Sequence, residues 1–220
     1  MQIAIDGPAG AGKSTIARAA AHKCGMIYVD TGAVYRAVAY ALRQLGTDIH
    51  DEAAVRAALS GIKPGLAFSD GEQRVYVNGE DVTDFIRTPE NSLATSCISA
   101  YPSVRAFLLE TQRKIAREND VIMDGRDIGT VVLPDADVKI FLTASPECRA
   151  RRRYAELAAK GEDITYEQTL AEMIQRDRDD TERAASPLRK ADDAVLLDTS
   201  DMDLEQSVRA VEALISGGRK

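Results

Sequence analysis

Apolar residues fall into five short runs along the chain, and each run stops at a polar position. Residues Ile3–Ile5, Met26–Val29, Val121–Met123, Val138–Leu142 and Ala194–Leu197 are rich in branched side chains. Such runs read as strands of a parallel sheet covered on both faces. Between them, apolar positions recur at three and four over Lys13–Lys23, Ala33–Leu45, Ser103–Arg117, Pro146–Lys160, Tyr166–Arg183 and Leu204–Ile215, the period of helices that bury one side. This alternation predicts an α/β fold, a five-stranded parallel sheet with helices on both faces. Ligands of such sheets bind beyond the carboxyl ends of the strands. The positions to inspect are therefore Asp6-Gly7, Asp30-Thr31-Gly32, Asp124-Gly125-Arg126-Asp127, Thr143-Ala144-Ser145 and Asp198-Thr199-Ser200.

Lys63 to Thr88 breaks the rhythm. Leu66-Ala67-Phe68 and Val75-Tyr76-Val77 alternate with polar residues across the turn Ser69-Asp70-Gly71, and Asn78-Gly79 marks a second turn. A small antiparallel sheet is expected there. The chain then divides into a core of residues 1–62 and 89–220 and an inserted β subdomain of residues 63–88. Gly217-Gly218-Arg219-Lys220 reads as a frayed tail.

Composition narrows the function. The 220 residues are 45% hydrophobic and 29% charged, enough for one sizeable core. A net charge of −7 lacks the basic excess of a nucleic-acid or membrane surface, so no partner of either kind is expected. An anionic substrate must then be held by local arginines. Cys24, Cys97 and Cys148 lie far apart with no C-x-x-C pair, which points to packing residues in a reducing compartment. His22 and His50 have no partner at ligand spacing. The N-terminus carries no basic segment before a long apolar stretch, and no window of 18 apolar residues occurs, so a cytoplasmic location is expected. No heptad seam calls for a dimer, and a monomer is expected.

The first strand runs straight into Gly7-Pro8-Ala9-Gly10-Ala11-Gly12-Lys13-Ser14-Thr15 and then into a helix. That is a phosphate cradle: glycines let the backbone turn its N–H groups inward, and the helix aims its positive end at the same anion. ATP is the implied ligand, with Lys13 reaching the β- and γ-phosphates and the Ser14 hydroxyl offered to Mg²⁺. Asp30 and Asp124 both follow strands, and spacing leaves open which of them orients a magnesium water.

Arg36, Arg105, Arg126, Arg149, Arg151, Arg152, Arg153, Arg176 and Arg183 supply the cations that phosphoryl transfer needs to bring two polyanions together. Arg149, Arg152 and Arg153 lie within about one helical turn, on the first arm of a helical hairpin, residues 149–165, that reads as a lid over ATP. Lys13, Arg126, Arg149 and Arg153 are the catalytic candidates, with the choice between the lid arginines open. Arg176, Asp180 and Arg183 recur at four and three, which stacks them on one helix surface. No N-K-x-D motif for guanine occurs, which argues against a nucleotide-dependent switch.

These residues closely resemble the bacterial cytidylate kinases of the nucleoside monophosphate kinase group. The resemblance covers nearly the whole chain. It is carried by Ile5–Thr15, by Asp30-Thr-Gly-Ala-Val-Tyr-Arg36, by Ser96 with Pro102-x-Val-Arg105, by Asp124-Gly-Arg-Asp-Ile-Gly-Thr130, and by Arg176-Asp-x-x-Asp180-x-x-Arg183 with Pro187-Leu188. The resemblance implies that Arg36, Arg126 and Arg183 hold the phosphate of CMP or dCMP, and that Ser96, Arg105 and Asp127 read the cytosine edge. It also implies that Arg176 and Asp180 take the sugar hydroxyls while Thr31 and Tyr35 line the pocket. Thr31 and Thr181 stand where relatives often have serine, which keeps the hydroxyl. The insertion at residues 63–88 falls where bacterial relatives enlarge the monophosphate-binding region, and it is expected to close on the substrates together with the lid. The alternative is a kinase of the same fold for another small acceptor, such as UMP, shikimate or dephospho-coenzyme A.

Overall fold

The computed structural model describes residues 1–69, 72–159 and 161–218. In chain order the elements are β1 (Gln2–Asp6), α1 (Lys13–Cys24), β2 (Ile27–Asp30), α2 (Thr31–Gln44), α3 (Glu52–Ala58), β3 (Pro64–Ser69), β4 (Glu72–Val77) and β5 (Glu80–Asp81). Then follow α4 (Pro89–Ile98), α5 (Pro102–Glu118), β6 (Val121–Gly125), β7 (Val138–Thr143), α6 (Pro146–Ala159), α7 (Tyr166–Glu182), β8 (Val195–Asp198) and α8 (Leu204–Gly218). A five-stranded sheet runs in the order β2-β6-β1-β7-β8, and a separate three-stranded sheet in the order β3-β4-β5. The doubly wound α/β reading holds. Packing divides the chain into two units, Met1–Met26 with Val121–Lys220, and Ile27–Asp120.

In the first unit, β1 pairs in parallel with β6 and β7, with Ile5 opposite Asp124 and Ile140. Ile3, Ala4 and Ile5 are buried, as expected of a strand with helices on both faces. β8 departs from that expectation. It pairs with β7 alone in this unit, as an edge strand, and Val195 and Leu196 are exposed. α1 ends on Gly25, whose left-handed backbone (φ 67°) turns its N–H back to the His22 carbonyl. α7 starts with a capping box, in which Thr165 and Gln168 each satisfy the other's backbone N–H. Between β6 and β7 the chain makes a wide helical turn over Ile128–Val132 that the apolar pattern did not signal. α8 extends through Gly218, two residues into the segment expected to fray; Arg219 and Lys220 lie outside the described residues.

The second unit is built around α2. Val34, Val38 and Leu42 recur at four on this helix and are fully buried, in one cluster with Val55, Ile62, Val75, Ile86, Ile98 and Leu108. The antiparallel sheet forms where alternation predicted it, with Leu66 opposite Val75 and Tyr76 opposite Asp81. Asn78 (φ 52°) and Gly79 (φ 91°) both take positive φ between β4 and β5, the hairpin geometry favoured by Asn-Gly. Asp70 and Gly71 of the other expected turn lie outside the described residues. Two short helices, α3 and α4, were not read from the apolar pattern. Both announce themselves by caps: Asp51 accepts from Ala53 and Ala54 N–H, and Thr88 accepts from Asn91 N–H ahead of Pro89 at the first turn. Among the described residues no helix is long and apolar enough to cross a membrane.

Candidate functional site

The cradle lies between β1 and α1. Gly7 takes φ 150°, and a Cβ there would stand 1.9 Å from the Leu142 carbonyl oxygen, so no other residue fits without moving β7. Gly12 caps α1 in the left-handed region at φ 85°. Lys13 is buried and its Nζ donates to the Pro8 carbonyl at 2.8 Å, which places the ammonium inside the loop. Burial first, then the Arg126 guanidinium, push the Lys13 amine down to about 7 from its ordinary 10.5, against the pull of Asp124, Asp6 and Asp180. Ser14 sits at the mouth and its Oγ donates to Asp124 Oδ2 at 2.8 Å.

Asp30, in the second unit, has a different occupation. Its Oδ1 accepts from Ala33 N–H at 3.0 Å as the N-cap of α2, its Oδ2 meets Arg87 Nη2 at 2.7 Å, and its backbone is clamped by the side-chain amide of Gln73. The two strand-end acids that looked equivalent by position are therefore unlike: Asp124 faces the Ser14 hydroxyl, and Asp30 starts a helix.

Arg126 and Arg183 converge on Asp180. Arg126 Nε reaches Asp180 Oδ2 at 2.8 Å and Arg183 Nη1 reaches Oδ1 at 3.3 Å. Burial alone pushes the Asp180 carboxyl up, but the charge and hydrogen bond of Arg126, joined by Arg183 and Arg176, outweigh it and hold the group below its ordinary value. Arg183 stands one residue past the end of α7, where its Nε donates to the Ser186 carbonyl at 2.8 Å. Asp127 is buried. Beside it lies Asp6, the strand-end acid before Gly7. Its two oxygens accept from the backbone N–H groups of Ile128 and Gly129, both at 2.7 Å, and so tie the strand before the cradle to the loop after Asp127. Burial pushes the Asp6 carboxyl up to about 6 despite those two donors, and Asp127 adds to the rise.

Of the four arginines of α6, Arg149, Arg152 and Arg153 reach different partners. Arg149 is buried; its Nε donates to the Ala144 carbonyl, its Nη1 to the Ala9 carbonyl of the cradle at 2.9 Å, and its two Nη atoms make a fork on Asp177 at 3.0 and 2.5 Å. Arg152 Nη2 donates to the Thr199 carbonyl at 2.8 Å, and its Nη1 stands 3.8 Å from where a Cβ on Gly12 would be. Arg153 is exposed and pairs with Glu156 at 3.2 Å. Pro8, Thr143, Ser145, Arg149, Asp177 and Thr181 contribute to the wall of an open cleft of about 350 Å³. α6 and α7 form the arms of the expected hairpin, with Tyr154 edge-on to Tyr166; Lys160 of its tip lies outside the described residues.

In the second unit, Thr31 is buried at the start of α2. Arg36 Nη1 donates to Ser92 Oγ at 2.7 Å. Arg105 lies over the Tyr35 ring, 5.5 Å from its centroid, and donates to the Ser99 carbonyl at 2.9 Å. Ser96 is exposed on α4, one turn beyond Ser92. Tyr35, Arg36, Ser96 and Arg105 thus share the unit that carries the antiparallel sheet, while Lys13, Arg126, Asp127, Arg176, Asp180 and Arg183 share the other.

A glycine cradle that ends a central parallel strand, opens a helix and closes around a buried lysine, with a serine set against a strand-end aspartate, defines a P-loop kinase. A crystal structure of shikimate kinase from Bacteroides thetaiotaomicron has the same fold, at a TM-score of 0.50 and 15% identity over 98% of both chains. Residues 3–216 match the family described as Cytidylate kinase. The chain is 49% identical over its whole length to a cytidylate kinase of Carboxydothermus hydrogenoformans, covering 98% of that protein. It is 50% identical over 99% of its length to a cytidylate kinase of Pelotomaculum thermopropionicum, covering 97% of it. The chain belongs to the cytidylate kinase family.

Proposed function

We propose that this enzyme moves the γ-phosphoryl of ATP to CMP and dCMP, giving ADP and CDP or dCDP, by in-line transfer without a covalent intermediate. One observation carries the reading: Arg126 and Asp180, on the acceptor side of the motif set, are among the charges that move the pKa of the donor lysine Lys13. One cation of the acceptor set, Arg126, therefore shares the electrostatic neighbourhood of the donor lysine. Gly7, Pro8, Ala9, Gly10, Ala11, Gly12, Ser14 and Thr15 wrap the donor phosphates. Lys13, lowered in pKa by burial and Arg126, regains its charge against them. Arg149 braces the cradle through Ala9, and Arg149 and Arg153 of the lid arm are the candidates to meet the migrating charge. Ser14 and Asp124 make an oxygen pair suited to a hard cation, and a Mg²⁺ held there with ATP would supply charge neutralisation for the transfer.

Arg36, Arg126 and Arg183 hold the acceptor phosphate, with Thr31 and Tyr35 lining the pocket and Arg176 and Asp180 on the sugar. Ser96, Arg105 and Asp127 read the base. A carboxylate accepts from the exocyclic amine of cytosine, whereas uracil offers O4 to the same acceptor. The unpaired contact costs about 1–3 kcal/mol, roughly 5- to 150-fold in selection. Residues 63–88 belong to the acceptor-binding region. The enzyme works as a cytoplasmic monomer on small molecules, without nucleic acid or membrane partners, in keeping with its net charge of −7. The test is a coupled ADP-release assay with CMP, dCMP, UMP, AMP and GMP. CMP is expected to lead UMP by the factor above and Asp127→Asn to shrink that lead; UMP or AMP clearly outrunning CMP overturns the reading.

A further inference from the structure

Arg36 is gripped at two points by the first turn of α4. Its backbone carbonyl accepts from Asn91 Nδ2 at 3.0 Å, and the same amide donates to the Ile86 carbonyl at 2.9 Å. Its guanidinium Nη1 donates to Ser92 Oγ at 2.7 Å, and Ser92 Oγ donates its own proton to the Thr88 carbonyl at 2.9 Å. Asn91 is fully buried, and its Oδ1 meets no hydrogen-bond donor among the described residues. A buried amide oxygen left unmet carries a desolvation cost. That cost is accepted at a residue whose two N–H bonds both serve to fix the backbone at Arg36 and Ile86. The turn is arranged around Arg36 rather than around its own polar groups.

The direction of the Ser92 hydrogen bonds matters. A hydroxyl has one proton, and here that proton is spent on Thr88, so the oxygen turns its lone pairs to Arg36 as an acceptor. A guanidinium is a rigid plane, and fixing one Nη direction fixes the others. Ser92 does this through a hydroxyl, a contact that itself brings no full negative charge.

We propose that Ser92, seated by Asn91, is the positioning residue that orients the Arg36 guanidinium for the phosphate of the monophosphate acceptor and thereby sets the affinity for that substrate. This rests on the reading of Arg36 as a phosphate-holding cation. Pre-orientation spares the long arginine side chain an ordering cost at the moment of binding. Because every nucleoside monophosphate carries the same phosphate, the effect falls equally on CMP and UMP. A shift of α4 as a whole would instead displace Ser96, one turn further on, and change the choice between them.

The experiment is steady-state kinetics on Ser92→Ala, Ser92→Thr, Arg36→Met and the Ser92→Ala/Arg36→Met double variant, with CMP, UMP and ATP each varied. Ser92→Ala is expected to raise the KM for CMP and for UMP by the same factor, about tenfold for a lost hydrogen bond to a charged group, with the KM for ATP within about twofold of the parent. Ser92→Thr, which keeps the hydroxyl, restores most of the loss, and in the Arg36→Met background Ser92→Ala adds nothing. An unchanged KM for CMP in Ser92→Ala beside a strong Arg36→Met effect overturns this inference alone. So does an equal penalty in both backgrounds, or a changed CMP-to-UMP ratio. A silent Arg36→Met overturns the phosphate-holding reading of Arg36 itself.

Discussion

The two units hold their arginines by different means. In the unit of Met1–Met26 and Val121–Lys220, Arg126 and Arg183 share the carboxylate of Asp180. In the unit of Ile27–Asp120, Arg36 is oriented by the Ser92 hydroxyl, and Arg105 by the Tyr35 ring and the Ser99 carbonyl. A carboxylate orients a cation and offsets its charge; a hydroxyl, a carbonyl or a ring face orients it without adding a full negative charge. An arriving phosphate therefore competes with Asp180 at Arg126 and Arg183, while the Ser92 contact at Arg36 adds no such competitor.

The contrast is broken most severely at Arg126. Arg126→Met removes a cation from the donor's own neighbourhood and leaves Asp180 short of a partner, and kcat/KM for CMP is expected to fall by about 10³-fold or more, with kcat carrying much of the loss in a coupled ADP-release assay. Arg36→Met is the counterpart in the second unit. Its loss is expected to be roughly 10²-fold and to fall mainly on the KM for CMP, because it removes phosphate binding rather than charge beside Lys13. Equal kcat losses for the two would erase the distinction.

A smaller effect reports on Lys13. With its amine near 7 in the free protein, binding of a polyphosphate restores the proton. Nucleotide binding at pH 8 is expected to take up close to one proton, about what a full return to the charged form requires, and uptake should fade toward pH 6, where the lysine is already charged. Titration calorimetry in buffers of different ionisation enthalpy measures this, and Lys13→Met should abolish it. The sign for stability is opposite to that of a paired lysine. The folded pKa of about 7 lies below the ordinary 10.5, so the buried amine costs stability below about 7, and the cost is relieved as pH rises through that interval.

The cradle was legible because its geometry is local. Three glycines, a lysine and a serine at fixed offsets after an apolar run need only the chain's own turn, and positive φ at Gly10 and Gly12 follows from it. The strands of the parallel sheet were legible for a related reason, since burial on both faces leaves an uninterrupted apolar run. β8 fits less well: its run is apolar, yet its place at the edge leaves Val195 and Leu196 open. α4 escaped notice because its buried face is small, Asn91, Ala94 and Ile98, so periodicity had little to show. The partners of Asp6, Ser92 and Asp177 were hidden for another reason. Each is an ordinary polar residue whose partner lies far along the chain, at Ile128 and Gly129, at Arg36, and at Arg149.

From its residues alone, the chain could be read as a parallel α/β protein with a phosphate cradle at the end of its first strand, because backbone turns, helix caps and apolar periods are properties of neighbouring positions. The division of labour among chemically equal side chains was settled only in three dimensions. Asp124 rather than Asp30 meets Ser14, and Arg149 turns inward to the cradle while Arg153 stays at the surface. A hydrogen bond needs its two atoms within about 3 Å of each other, and only the folded chain decides which distant residues come that close.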